Sequence, residues 1–171
     1  MNHRVLVAGV GNIFLGDDGF GVEVVKRLAA EPLPDWVRVV DFGIRGIHLA
    51  YDLLDAGYET TILVDATPRG GEPGTVYLIE PDLEALDTEG QGSPDAHGMN
   101  PEAVFGLLKT LGGTLKRVLI VGCEPAQTEE EIGLSAPVAR AVEEAVQRIL
   151  EIVQQENGSR SEAERLPCPD G

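Results

Sequence analysis

Residues 5–10, VLVAGV, form a continuously apolar, β-branched run that breaks into the glycine-rich turn Gly9-Val10-Gly11 and meets two acids, Asp17 and Asp18, before a helical pattern begins. An apolar run of that length suits a strand covered on both faces, which is the hallmark of a parallel sheet. The same type of run recurs at Val37–Asp41, Thr60–Asp65, Thr75–Glu80 and Arg117–Gly122. Helix-period segments lie between them. The first begins near Gly19 and sets Phe20, Val24, Val25 and Leu28 on one face. A second, Gly46–Ala56, spaces Ile47, Ala50, Tyr51 and Leu54; a third follows Pro101 with Val104, Leu107, Leu108 and Leu111. The last starts after Ser135, a good N-cap, and carries the stripe Val138, Ala141, Val142, Ala145, Ile149, Ile152 and Val153.

Strands alternating with helices predict a single three-layer α/β domain: a mostly parallel, twisted, five-stranded sheet with helices on both faces. Thr75–Glu80 follows the turn Gly70–Gly74 with no helix between, so it is expected to be antiparallel, because a parallel neighbour needs a long crossover. Residues 1–156 are expected to form the domain, and the polar stretch 157–171 a disordered tail. The acidic, glycine- and proline-rich stretch 81–98 reads as a long functional loop.

The formal net charge of -16 argues against nucleic-acid binding. No apolar run approaches the roughly 20 residues that span a bilayer, and the N-terminus lacks a signal-peptide cleavage pattern. A cytoplasmic monomer is the default expectation. Cys123 ends an apolar run and reads as a buried small hydrophobe; Cys168 lies in the expected tail. His3 and His48 read as bland surface or helix residues.

In open α/β sheets, ligands bind beyond the carboxyl ends of the strands. Asp17 and Asp18 follow the first strand, Asp41 the second and Asp65 the third. His97 lies in the long loop, and Glu124 and Gln127 follow the last strand. Several of these acids are expected to converge on one rim. Gly9-x-Gly11 superficially suggests a dinucleotide site, but the next glycine is Gly16, and the two acids stand where pyrophosphate would sit. Each like-charge contact at about 4 Å and an effective dielectric near 20 would cost several kcal/mol. No nucleotide cofactor is therefore expected. Asp17 is explained as a helix N-cap. Asp18, Asp65 and His97 make a two-carboxylate, one-imidazole set that suits a divalent transition metal with open positions.

These residues also match a known pattern. Gly9-Val10-Gly11-Asn12 followed by Asp17-Asp18-Gly19-x-Gly21 resembles the N-terminal signature of hydrogenase maturation endopeptidases. Asp41-Phe42-Gly43-Ile44 resembles their second-strand motif, Asp-Gly-Gly-Thr, with Phe42 and Ile44 in place of Gly and Thr. Asp65-Ala66, His97-Gly98-Met99, Val121-Gly122-Cys123-Glu124-Pro125 and Gly133-Leu134-Ser135 complete a match over residues 4–153. The resemblance implies a protease that removes the C-terminal extension of a nickel–iron hydrogenase large-subunit precursor after nickel insertion, using nickel supplied by that precursor. It implies Asp18, Asp65 and His97 as the metal-contacting and catalytic set, with Asn12, Asp17 and Asp41 in secondary roles. Metal-assisted and aspartic-type hydrolysis both stay open. A non-catalytic assembly chaperone that merely holds the precursor would share every one of these residues.

Overall fold

The computed structural model describes residues 4–44, 48–49, 51–53, 57–81 and 116–165. Among the described residues there are five strands: β1 (Val5–Val10), β2 (Val37–Gly43), β3 (Thr60–Ala66), β4 (Val76–Ile79) and β5 (Arg117–Cys123). They form one sheet in the order β2-β1-β3-β5-β4. β1, β2, β3 and β5 run parallel, and β4 pairs antiparallel with β5. This is the α/β architecture the residue pattern predicts, antiparallel edge strand included.

Two clusters of buried side chains explain why the strands are apolar at successive positions. Val5, Val7, Ile62, Val64, Leu119 and Val121 face α1 (Phe20–Leu28) and α2 (Ala136–Arg165). Leu6, Ala8, Val10, Leu63, Val118 and Ile120 face the opposite way, where Leu49, Leu53 and Tyr58 cover them. In α1, Phe20, Val24, Val25 and Leu28 are all buried, as their spacing predicts. In the helical residues 48–49 and 51–53, Leu49 and Leu53 point inward while Tyr51 is 56% exposed. The inward face is therefore the i, i+4 leucine pair, not the face through Tyr51. The expected third helix and all of the 81–98 loop after Pro81, including His97, lie outside the described residues.

α2 continues to Arg165, well past residue 156, where polar composition suggested that order ends. Val138, Ala141, Ala145, Val146, Ile149, Ile152 and Val153 bury its first half. Once that half is packed, each further residue adds a hydrogen bond without a new nucleation cost, so the helix propagates into polar sequence. Among the described residues, no helix is long and apolar enough to cross a membrane.

Gly9 in β1 and Gly21 in α1 serve close packing of α1 on the sheet. A Cβ at Gly21 would strike the backbone oxygens of Val64 and Val10, and one at Gly9 would meet the Gly21 oxygen at 2.5 Å. Backbone cannot yield there as a side chain would. Gly21→Ala is expected to destabilise the domain by about 2–3 kcal/mol, lowering Tm by about 5–10 °C in a thermal melt. A melt within a degree of wild type would show that α1 can lift off without cost.

Candidate active site

β1 and β3 are the switch point of the sheet: β2 extends it on one side of β1 and β3 on the other. Their pairing ends at Gly9 with Val64, so the chain past Val10 and the carboxyl end of β3 are free to part. A crevice of this kind, at the carboxyl ends of parallel strands, is where open α/β sheets bind ligands. β1 runs into Gly11, which has φ +140°, a backbone conformation that favours glycine. A Cβ at Gly11 would overlap the Asp18 backbone oxygen and lie 3.9 Å from Asp65 Oδ1. This turn thus brings Asp18, in the 3₁₀ turn Gly16–Gly19, beside Asp65 at the end of β3.

The turn that carries Asp18 is held from two sides. Asn12 N–H donates to Asp18 Oδ2 at 2.9 Å, and Gly11 N–H donates to the Gly43 oxygen at 2.8 Å. Gly16 N–H donates to the Glu131 oxygen at 2.7 Å, and Glu131 N–H to the Phe14 oxygen at 3.1 Å. Asp18 is therefore presented by a braced loop, as precise chemistry requires.

Both carboxyls resist ionisation. Burial raises Asp18 above the usual carboxylate value, against the opposing Asn12 hydrogen bond. Burial, and then the charge of Asp18, hold Asp65 well above it, with a hydrogen bond from Ala66 N–H opposing. Burial, and the charge of Asp18 near Asp65, therefore disfavour ionising both carboxyls together.

That strain has a consequence for stability. Between the ordinary carboxylate value of 3.8 and the raised value, folded Asp65 keeps a proton that the unfolded chain has lost. Stability therefore falls as pH rises through this window, and the penalty is complete above it. Asp65→Asn is expected to raise Tm at pH about 7.5 by a few degrees, the effect of relieving about 1 kcal/mol in a domain of this size. The gain should vanish below about pH 4. A variant that melts at or below wild type at neutral pH would contradict the placement.

Asp17 does something other than cap its own helix. α1 has no side-chain cap, and Asp17, at 0% exposure, reaches across to the loop before α2. Its Oδ1 accepts Ser135 N–H at 2.7 Å. Its Oδ2 accepts the Ser135 hydroxyl at 2.8 Å, Ala126 N–H at 2.7 Å and Gln127 N–H at 3.1 Å. Burial alone would raise its pKa, but these four bonds together hold it below the ordinary value.

The other rim acids do not join the pair. Asp41 is exposed and accepts Gly43 N–H at 2.8 Å in a local turn. Glu124, 6% exposed, accepts Arg69 N–H at 2.7 Å, Gly70 N–H at 3.0 Å and the Tyr77 hydroxyl at 3.1 Å. It pins the turn between β3 and β4, and these bonds, Arg69 N–H foremost, lower its pKa. Cys123 is buried, and burial pushes its thiol up to about 12, so it is an inert core residue. Among the described residues, no three His, Cys, Asp or Glu side chains gather as a metal site. His97 falls outside that set.

Beside the pair, a cleft of about 520 Å³ opens over the ends of β1 and β2. It shares Gly11 and Asn12 with the carboxylate site, and Ile13, Phe14 and Ile44 line it. Residue spacing did not single out Ile13 and Phe14. The available signal was two bulky apolar residues inside a glycine-rich turn at a strand's carboxyl end, where polar residues are usual.

The switch-point crevice of this α/β sheet thus brings together two carboxyls that burial holds above the ordinary carboxylate value. The sequence model of the HycI hydrogenase maturation protease family matches residues 22–152, a span that includes Asp65 and His97 and begins just after Asp18. The chain belongs to the hydrogenase maturation protease family. It is 40% identical over 149 residues to a putative hydrogenase maturation protease of Methanocaldococcus jannaschii, covering 85% of this chain and 94% of that one. It is 34% identical over 150 residues to the hydrogenase 2 maturation protease of Escherichia coli, covering 86% and 88%. Its fold superposes on the hydrogenase maturating endopeptidase HybD from E. coli with a TM-score of 0.73 at 28% identity, covering 90% of this chain and 93% of that one.

Proposed function

We propose that this chain is an endopeptidase that removes the C-terminal extension of a nickel–iron hydrogenase large-subunit precursor once nickel is in place. The observation that carries this is the Asp18–Asp65 pair: two desolvated carboxyls in a switch-point crevice, short of a counter-charge among the described residues. A divalent cation presented by the substrate supplies that charge, which makes the pair a sensor of the loaded precursor. His97, whose segment His97-Gly98-Met99 resembles the family's histidine segment, would add the imidazole that tilts preference toward nickel.

With the precursor's nickel at the rim, Asp18 and Asp65 would ionise and engage it. The metal would polarise the scissile carbonyl or activate a water for attack. The rival chemistry is aspartic-type, with one proton shared by the pair and the ionised partner activating water directly. The two differ in pH dependence. Metal engagement needs both carboxylates ionised, so cleavage should rise with pH through the raised Asp65 value and then level off. Proton sharing needs one neutral carboxyl, so cleavage should fall again above that value. We favour the first, because the burial that discourages two charges is what a divalent cation offsets.

The function itself is tested by mixing the purified chain with nickel-loaded precursor and weighing the products by mass spectrometry. A large subunit shortened at its C-terminus supports the protease. A stable, uncleaved complex would replace it with an assembly chaperone.

A further inference from the structure

The cleft over the ends of β1 and β2 lies beside the carboxylate pair, and its lining sets large apolar side chains among the polar Asn12, Lys26, Asp41 and His48. Ile13 is 36%, Phe14 60% and Ile44 73% exposed, and all three line it. Large apolar side chains exposed together around a concave site mark recognition surfaces. Neither Phe14 nor its turn is loose: Phe14 N–H donates to Asn12 Oδ1 at 2.9 Å and its oxygen accepts Glu131 N–H at 3.1 Å. The apolar side chain is thus held out into the cleft by a braced backbone.

Position says what such a cleft would take. Gly11 and Asn12 form one of its walls, and Asn12 N–H is the donor that holds Asp18. A chain whose reacting bond lies at Asp18 and Asp65 has this cleft directly beside it. β2, which supplies Val40, Asp41, Phe42 and Gly43 to the lining, is an edge strand among the described residues, where an extended chain adds readily. A cleft of about 520 Å³ against such a strand accommodates the side chains of an extended segment. Lys26 and Asp41 both line the cleft, and the chain's overall net charge of -16 disfavours a strongly acidic segment.

We infer that this cleft is a recognition subsite for an extended, apolar, non-acidic stretch of the precursor's C-terminal extension, with Phe14 and Ile44 as its specificity-determining contacts. The inference rests on the proposed processing of a hydrogenase precursor. It adds that the enzyme reads its substrate twice: the metal through the carboxylates, and the tail through the cleft.

The test is binding, measured on a chain carrying Asp65→Asn so that the substrate is not consumed. Nickel-loaded precursor is titrated onto it by surface plasmon resonance, once with its extension and once with the extension removed genetically. Adding Phe14→Ala and Ile44→Ala should weaken binding of the extended form about tenfold or more, the loss expected when central apolar contacts are truncated. Binding of the form without the extension should not change. Phe14→Leu, which keeps apolar bulk, should restore most of the affinity. Leu78→Ala, exposed on β4 at the far edge of the sheet, should have no effect. Equal affinity of the double variant for the extended form, or equal loss for both forms, would overturn the subsite. Cleavage by the wild-type chain is scored separately. Extension-dependent binding without cleavage would keep the subsite and remove the protease.

Discussion

Asp18→Asn and Asp65→Asn are each expected to slow cleavage of nickel-loaded precursor by about a thousandfold or more, with the fold intact. That is the order of loss when a group acting directly at the reacting centre is removed. Asparagine keeps the shape and the Asn12 N–H contact at Asp18, so the effect isolates the charge. His97→Ala should fall in the same range if the imidazole engages the same metal. The three should not be additive, because a half-formed grip is nearly as poor as none. Mass-spectrometric time courses with each single variant and the Asp18–Asp65 double variant check this. Near-wild-type cleavage by Asp65→Asn would remove the carboxylate pair from the reaction.

Asp17→Ala is expected to cost about 3–5 kcal/mol of stability, the largest single loss predicted here. The carboxylate has 0% exposure and accepts four hydrogen bonds from Ser135, Ala126 and Gln127. Removing it leaves several donors with no acceptor at the junction of the β1 turn, the loop after β5 and the start of α2. In a domain of this size Tm should drop by about 10 °C or more. Asp17→Asn should not rescue, since its amide would turn a donor toward donors. The lowered pKa carries a further signature. Stability from Asp17 is present above the ordinary value of 3.8 and is lost as pH falls through the folded value. Urea unfolding at neutral and acidic pH measures both. A loss of under about 1 kcal/mol at neutral pH would contradict the hub role.

Much of this was readable in the chain itself, for physical reasons. A strand buried on both faces must be apolar at successive positions, so β1, β3 and β5 stand out as runs. The short turn before β4 forces an antiparallel return. Asp65 was visible as a carboxylate closing such a run, and Asp18 as an acid where an anion site would otherwise be. What stayed hidden depends on tertiary partners. Asp17 looks like a local cap, yet its partners Ala126, Gln127 and Ser135 lie 109, 110 and 118 residues away. Glu124 looks like a rim acid, but it folds back onto Arg69 and Gly70. The inward leucine pair, Leu49 and Leu53, was masked by neighbouring apolar residues that gave more than one possible stripe. The extension of α2 to Arg165 comes from packing upstream of it, which composition does not record.

The central claim is that Asp18, Asp65 and His97 close around the precursor's nickel. Nickel K-edge X-ray absorption addresses it most directly, on precursor alone and on precursor freeze-quenched with the chain before cleavage. Additional oxygen and nitrogen ligands should appear on mixing with wild type, with the oxygen part lost for the Asp18→Asn, Asp65→Asn double variant and the nitrogen part for His97→Ala. A nickel spectrum that does not change when the enzyme binds would place the metal outside this site.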